Sequence, residues 1–192
     1  QHLSAGELVV LPTECAYVIA ASSLDGAAVG RLNEFSRQKA GEDAALSLIV
    51  KGIDEALDFV PDMSSAGQKL GRRSWPGPII LEFDVSAASG ILRSLPQATY
   101  DSIVHNGQLR LRVSQHQLIR EIRELLPAPL VFSVELRSES QTPAGWIDQI
   151  DEKLAFVVDA GPCQFSDVPS VVSVTSDGWN VLSEGLLSRG SL

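Results

Sequence analysis

The apolar run Val9-Val10-Leu11 stops at Pro12, and Thr13-Glu14-Cys15-Ala16-Tyr17 follow before a second apolar stretch. Proline lacks an N–H and fixes φ. Strand pairing is therefore expected to end at Pro12 and to leave Thr13 and Glu14 on the rim. A second segment, Ser74-Trp75-Pro76-Gly77-Pro78-Ile79-Ile80-Leu81, sets a rigid turn before another apolar strand. An apolar run beside a rigid polar turn is how an α/β domain presents ligand-binding groups at a strand end.

Hydrophobic periodicity places the remaining elements. Strands are expected over 8–11, 16–21, 45–50, 78–83, 109–113, 130–134, 154–159, 171–174 and 179–182. Leu109–Val113 alternates Leu/Arg/Leu/Arg/Val, the period-2 pattern of a half-buried strand. Helices are expected from an Asp25 cap to about Arg37, over 53–60, over 64–73 and over 115–126, where apolar residues recur at helical spacing. The stretch 86–106 gives no clear period. Ser, Thr, Pro and Gly cluster in 137–145, the best loop candidate. Strands and helices intermix without strict alternation, which predicts an α/β (α+β) fold with a mixed, twisted sheet flanked by helices.

A chain of 192 residues, 44% of them hydrophobic, can bury one sizeable core, so a single domain over residues 1–192 is expected. Nothing reaches 18 consecutive apolar residues and no basic leader precedes an apolar run, which argues against a membrane span or signal peptide and for a cytoplasmic protein. The chain does not begin with Met, so a trimmed domain, or one preceded by further sequence, is expected. Cys15 and Cys163 show neither CxxC nor Cys/His spacing, so no metal site and no disulfide framework are signalled, and both read as buried thiols. The net charge is −9 and the basic residues are scattered. Nucleic-acid binders gain affinity by neutralising phosphates with a basic stripe, so broad RNA binding is not expected.

In order and content, Pro12-Thr13-Glu14-x-x-Tyr17 and Trp75-Pro76-Gly77-Pro78 resemble the YrdC-like family, the threonylcarbamoyl-AMP synthases of tRNA modification. The resemblance runs to Val181-Leu182-Ser183-Glu184-Gly185. It implies a site that joins ATP (with Mg), L-threonine and bicarbonate and releases pyrophosphate, with no tightly bound cofactor. Such chemistry needs cations or N–H donors where charge develops at phosphorus.

Carried over residue by residue, the resemblance implies catalytic roles for Arg112 and Thr13. Thr13, Tyr17 and Ser170 would line the substrate pocket. Arg37 and Lys39, with Arg112, would contact the nucleotide. His116 reads as structural, and Glu14, although it matches the pattern, as a solvated turn residue. Departures are numerous. The family's Lys-x-Arg falls on Ser36 and Gln38, leaving Arg37 and Lys39 one residue out of phase, about 100° around a helix. The family's Ser-Ala-Asn falls on Val134-Glu135-Leu136, its Thr on Val171 and a late Arg on Ser183. If that strand continued, Glu135 and Arg137 would face away from the cleft. Val18 stands where the family has Gly, which predicts an altered backbone or a narrower pocket.

Several polar contacts are thus lost together while the apolar frame is kept. One transition-state donor is worth about 10²–10³ in rate. The expectation is a YrdC-like protein with a degenerate, weak or inactive site, whose residual chemistry, if any, is nucleotidyl transfer. Other readings stay open: a non-catalytic nucleotide-, RNA- or protein-binding module, fused to or partnered by another domain, or a carbamoyl-transfer relative with an altered substrate.

Overall fold

The structure is a computed structural model describing residues 1–87, 90–133, 135, 142–143 and 154–191. In chain order its main elements are β1 (Leu8–Pro12), β2 (Tyr17–Ser22), α1 (Gly26–Ala40), β3 (Ser47–Ile49), α2 (Ile53–Phe59), α3 (Ser65–Ser74) and β4 (Ile79–Asp84). They continue with α4 (Ile91–Ser94), α5 (Gln97–Ile103), β5 (Val104–His105), β6 (Gln108–Arg112), α6 (Gln117–Leu125), β7 (Leu130–Phe132), β8 (Leu154–Val157), β9 (Ser170–Val174) and β10 (Trp179–Ser183).

One mixed sheet runs β10-β9-β4-β6-β3-β7-β2-β1-β8, with β5 paired to β6. The β1–β8, β3–β6 and β4–β9 pairs are parallel and the others antiparallel. This is the expected α/β architecture. All of β1 is buried because both faces of the sheet centre are covered. Leu8, Val10, Ile19, Leu48 and Leu111 join the larger core with Val29, Leu32 and Phe35 of α1, Phe59 of α2 and Leu70 of α3. Val9, Leu11, Val18, Ala20, Ile49 and Phe132 pack on the opposite face with Ile119 of α6.

Local chemistry sets the helix ends. The Asp25 carboxylate accepts from the Ala28 N–H at 2.8 Å, and Ser64 Oγ from the Gly67 N–H at 3.2 Å, each satisfying an orphan donor of a first turn. In the unassigned stretch the described residues form α4, α5 and β5; short segments of one or two turns are too brief to show a period. The 137–145 loop candidate lies outside the described residues except 142–143.

Two features fix the geometry near the ends of β4 and β6. The Gly77 N–H donates to the Val113 carbonyl at 3.0 Å, tying the Trp-Pro-Gly-Pro turn to the residue after Arg112. A Cβ at Gly77 would lie 2.5 Å from the Ser74 carbonyl oxygen, so no larger residue fits. No helix among the described residues is long and apolar enough to cross a membrane.

Candidate functional site

The β1–β2 hairpin is closed by one threonine. Pairing ends at Pro12 opposite Tyr17, as the missing N–H requires. Thr13 then folds the turn: its N–H and its hydroxyl both donate to the Ala16 carbonyl, at 3.0 and 2.7 Å. The same hydroxyl accepts from the Cys15 and Ala16 N–H groups at 3.2 and 3.1 Å. The turn is not a solvated rim. Thr13 and Glu14 are 0% and 1% exposed, and the Phe165 N–H donates to the Glu14 carbonyl at 2.9 Å.

That folding turns Glu14 inward onto β6. Arg112 donates from Nη2 to Glu14 Oε1 at 3.0 Å and to Thr13 Oγ1 at 3.3 Å, and from Nη1 to Glu135 Oε1 at 3.1 Å. Ser114 Oγ donates to the other Glu14 oxygen, and the His116 N–H to Ser114 Oγ at 3.2 Å. The Arg112 side chain is 1% exposed, although β6 as a whole is half-buried. Burial works against its charge, but Glu14 and Glu135 outweigh burial and hold the guanidinium protonated. Among the described residues its buried Nε has no hydrogen-bond partner, and neither has His116 Nδ1. Burial also pushes the His116 imidazole below its ordinary range, partly offset by the Glu14 charge. Cys15, next in the turn, is pushed up to about 12 by burial, with Arg112 pulling the other way.

Thus Thr13 and Arg112 meet, as the pattern implied, but inside a buried ionic cluster in which both Arg112 Nη groups are engaged. The other implied residues are committed elsewhere. The Tyr17 hydroxyl donates to the Gly161 carbonyl at 2.7 Å and accepts from the Ala160 N–H at 3.0 Å, anchoring the segment after β8. Ser170 Oγ donates to the Leu187 carbonyl at 2.7 Å and accepts from the Gly185 and Leu187 N–H groups at 3.0 Å each. It holds down the chain after β10. Arg37 pairs with Glu42 at the exposed end of α1, and the Lys39 ammonium stands 5.8 Å above the Phe35 ring. Ser36, at the position of the family lysine, is fully buried on the inner side of α1.

Ser114 carries no signal in the sequence, whereas Glu14 reads there as solvated; both are part of the Arg112 cluster, with Glu135. A buried arginine demands a carboxylate, and an invisible burial left that demand invisible. Alternation would put Glu135 on the far face only if the strand continued; β7 ends at Phe132, so alternation does not reach it. Val134, Leu136 and Arg137 lie outside the described residues. Val18 sits in regular strand, fully buried, so the glycine-to-valine change needs no unusual backbone. Among the described residues no group of three or more His, Cys, Asp or Glu is placed to hold a metal.

The Sua5/yciO/yrdC family model, described as telomere recombination, matches residues 1–185. A Mycobacterium tuberculosis (strain H37Rv) protein, provisionally named a threonylcarbamoyl-AMP synthase, is 26% identical over 97% of this chain and 82% of its own. Escherichia coli YciO superposes with a TM-score of 0.77 at 16% identity, over 99% of this chain and 89% of its own. Pyrococcus abyssi Sua5, solved in complex with L-threonine, gives 0.75 at 19% identity over 96% of this chain; the chain spans 52% of that protein.

Proposed function

We propose that this chain, which belongs to the Sua5/YciO/YrdC family, is a threonylcarbamoyl-AMP-synthase-type protein whose adenylate-forming activity is weak or absent. The carrying observation is the state of Arg112, the best-matched cation: both of its Nη groups are engaged by the chain's own carboxylates. One guanidinium facing two carboxylates is a site of net charge −1. A further anion brought within about 4 Å of an uncompensated carboxylate meets a repulsion of roughly 4 kcal/mol at an effective dielectric constant near 20. That is about a thousandfold in affinity.

Among the described residues, those aligned with the family's other phosphate contacts do not fit a triphosphate. Ser36 is buried, Gln38 and Ser183 are exposed and uncharged, and Arg37 is paired with Glu42. What the chain's residues do is structural. Thr13 folds the hairpin, Glu14 and Arg112 bind β1 to β6, and Tyr17 and Ser170 pin the two flanking segments. The relatives' name supports a place in threonylcarbamoyladenosine formation on tRNA, and the Pyrococcus abyssi Sua5 complex supports L-threonine as the small molecule of that reading.

The test is pyrophosphate release by the purified protein with ATP, Mg²⁺, L-threonine and bicarbonate. The expected result is no threonine- and bicarbonate-dependent release above background. Robust turnover would overturn the proposal.

A further inference from the structure

We propose that the cavity between α6 and the carboxyl ends of β3 and β6 binds one small monovalent anion, such as chloride, through Arg123 and Arg120. The inference does not depend on the reading above. β3 and β6 are parallel neighbours, and ligands of α/β sheets gather beyond the carboxyl ends of such strands. A cavity of about 60 Å³ lies there, with Ile49, Val113 and Ile119 as apolar walls. That is several times the roughly 10–15 Å³ that one water needs.

Arg123 is the buried polar group of this cavity, 2% exposed. Its Nη2 donates to both Glu55 oxygens at 2.8 and 3.0 Å, and its Nη1 donates to the Ala128 carbonyl. Its Nε is also buried, and among the described residues it has no acceptor. A buried donor without an acceptor bears the full loss of its hydration. The charges nearby favour an anion over water as the missing acceptor. Lys51, Arg120 and Glu124 line the cavity and are exposed. Lys51 faces Glu124 at 3.6 Å, and Arg123 is matched by Glu55. Arg120 is not matched: among the described residues no hydrogen bond or ion pair engages its side chain. Three positive groups stand against two negative ones, a local surplus of one in a chain of net charge −9. A monoanion closes that balance and gives Nε a charge-assisted hydrogen bond. A dianion overshoots it, and the volume excludes a long organic anion. The bound ion completes the clamp by which Arg123 holds α6 to α2 and to the segment before β7.

The experiment follows thermal unfolding in mixtures of sodium chloride and sodium gluconate at fixed total concentration. Gluconate is too large for the cavity, and the fixed total keeps screening constant. Wild type and Arg120→Ala are compared, so that general salt effects cancel. Arg120 is exposed, and circular dichroism checks that the variant keeps the fold. Chloride should raise the Tm of the wild type, by about 3–5 °C for each tenfold rise once the site is saturated. Arg120→Ala should lose most of that slope. Bromide soaked into crystals of the wild type should give an anomalous peak beside Arg123 Nε. A Tm that does not respond to chloride would overturn the proposal and leave the cavity to water. So would a slope that Arg120→Ala leaves unchanged, or bromide found only elsewhere, since the anion would then act from another place.

Discussion

Arg112→Ala is the sharpest test of how this interior is built. A surface arginine would lose little beyond the packing of its stem. Here the side chain is 1% exposed and its principal partner, Glu14, is also 1% exposed. Truncation leaves the Glu14 carboxylate buried with Ser114 Oγ as its remaining donor among the described side chains. Breaking a buried pair from one side costs about 3–5 kcal/mol, because the orphaned charge stays desolvated. For a domain of this size that is a fall in Tm of about 6–20 °C. Replacing both members changes the sign of the comparison: Arg112→Met with Glu14→Gln removes both charges and should cost about 2 kcal/mol less than Arg112→Met alone. Urea unfolding followed by far-UV circular dichroism, with the slope checked for constancy, reads both numbers. A loss within about 0.5 kcal/mol for Arg112→Ala, the range of an ordinary surface change, would refute the buried-pair reasoning and return Arg112 to solvent.

Ser170→Ala deletes a buried hydroxyl that makes three hydrogen bonds to the chain after β10. It should cost about 1–3 kcal/mol and speed hydrogen exchange at the Gly185 and Leu187 amides; unchanged exchange would show that the hydroxyl is not the anchor. Cys15 has a thiol pushed from 9.0 up to about 12, so it stays protonated at pH 8, and the thiolate is the reactive form. A disulfide reagent should label Cys15 only when the protein unfolds, whereas rapid native labelling of its peptide would contradict the burial.

The framework was legible because it depends on local rules. The Asp25 cap, the Pro12 stop and the 3.6-residue apolar spacing of α1 each act through neighbours in sequence, and each stands where expected. The site was legible only as a list of participants. Arg112 and Thr13 belong together, but the carboxylate on Arg112 Nη1 comes from 23 residues away, past a strand whose alternation breaks off at Phe132. Glu14 misled for the opposite reason. A glutamate after Pro-Thr reads as solvated until Arg112 and Ser114, far along the chain, are known to hold its buried carboxylate. Long-range burial decides whether a charge is a ligand-binding group or a structural one, and residue spacing does not encode it.

The order of strands in the sheet has a consequence for how this protein is made. β8 closes the sheet beside β1, while β9 and β10 close the other side beyond β4, so residues 154–183 furnish both margins. Until that last stretch leaves the ribosome, β1 and β4 each present a row of unpaired backbone donors and acceptors flanked by apolar side chains. The two closing pairs, β1–β8 and β4–β9, are parallel and join segments far apart in sequence, the slow kind of contact to form. The nascent chain therefore passes through a stage with two sticky margins at once. A translation product halted after β7 would be a template for strand-to-strand aggregation rather than a smaller version of the same fold.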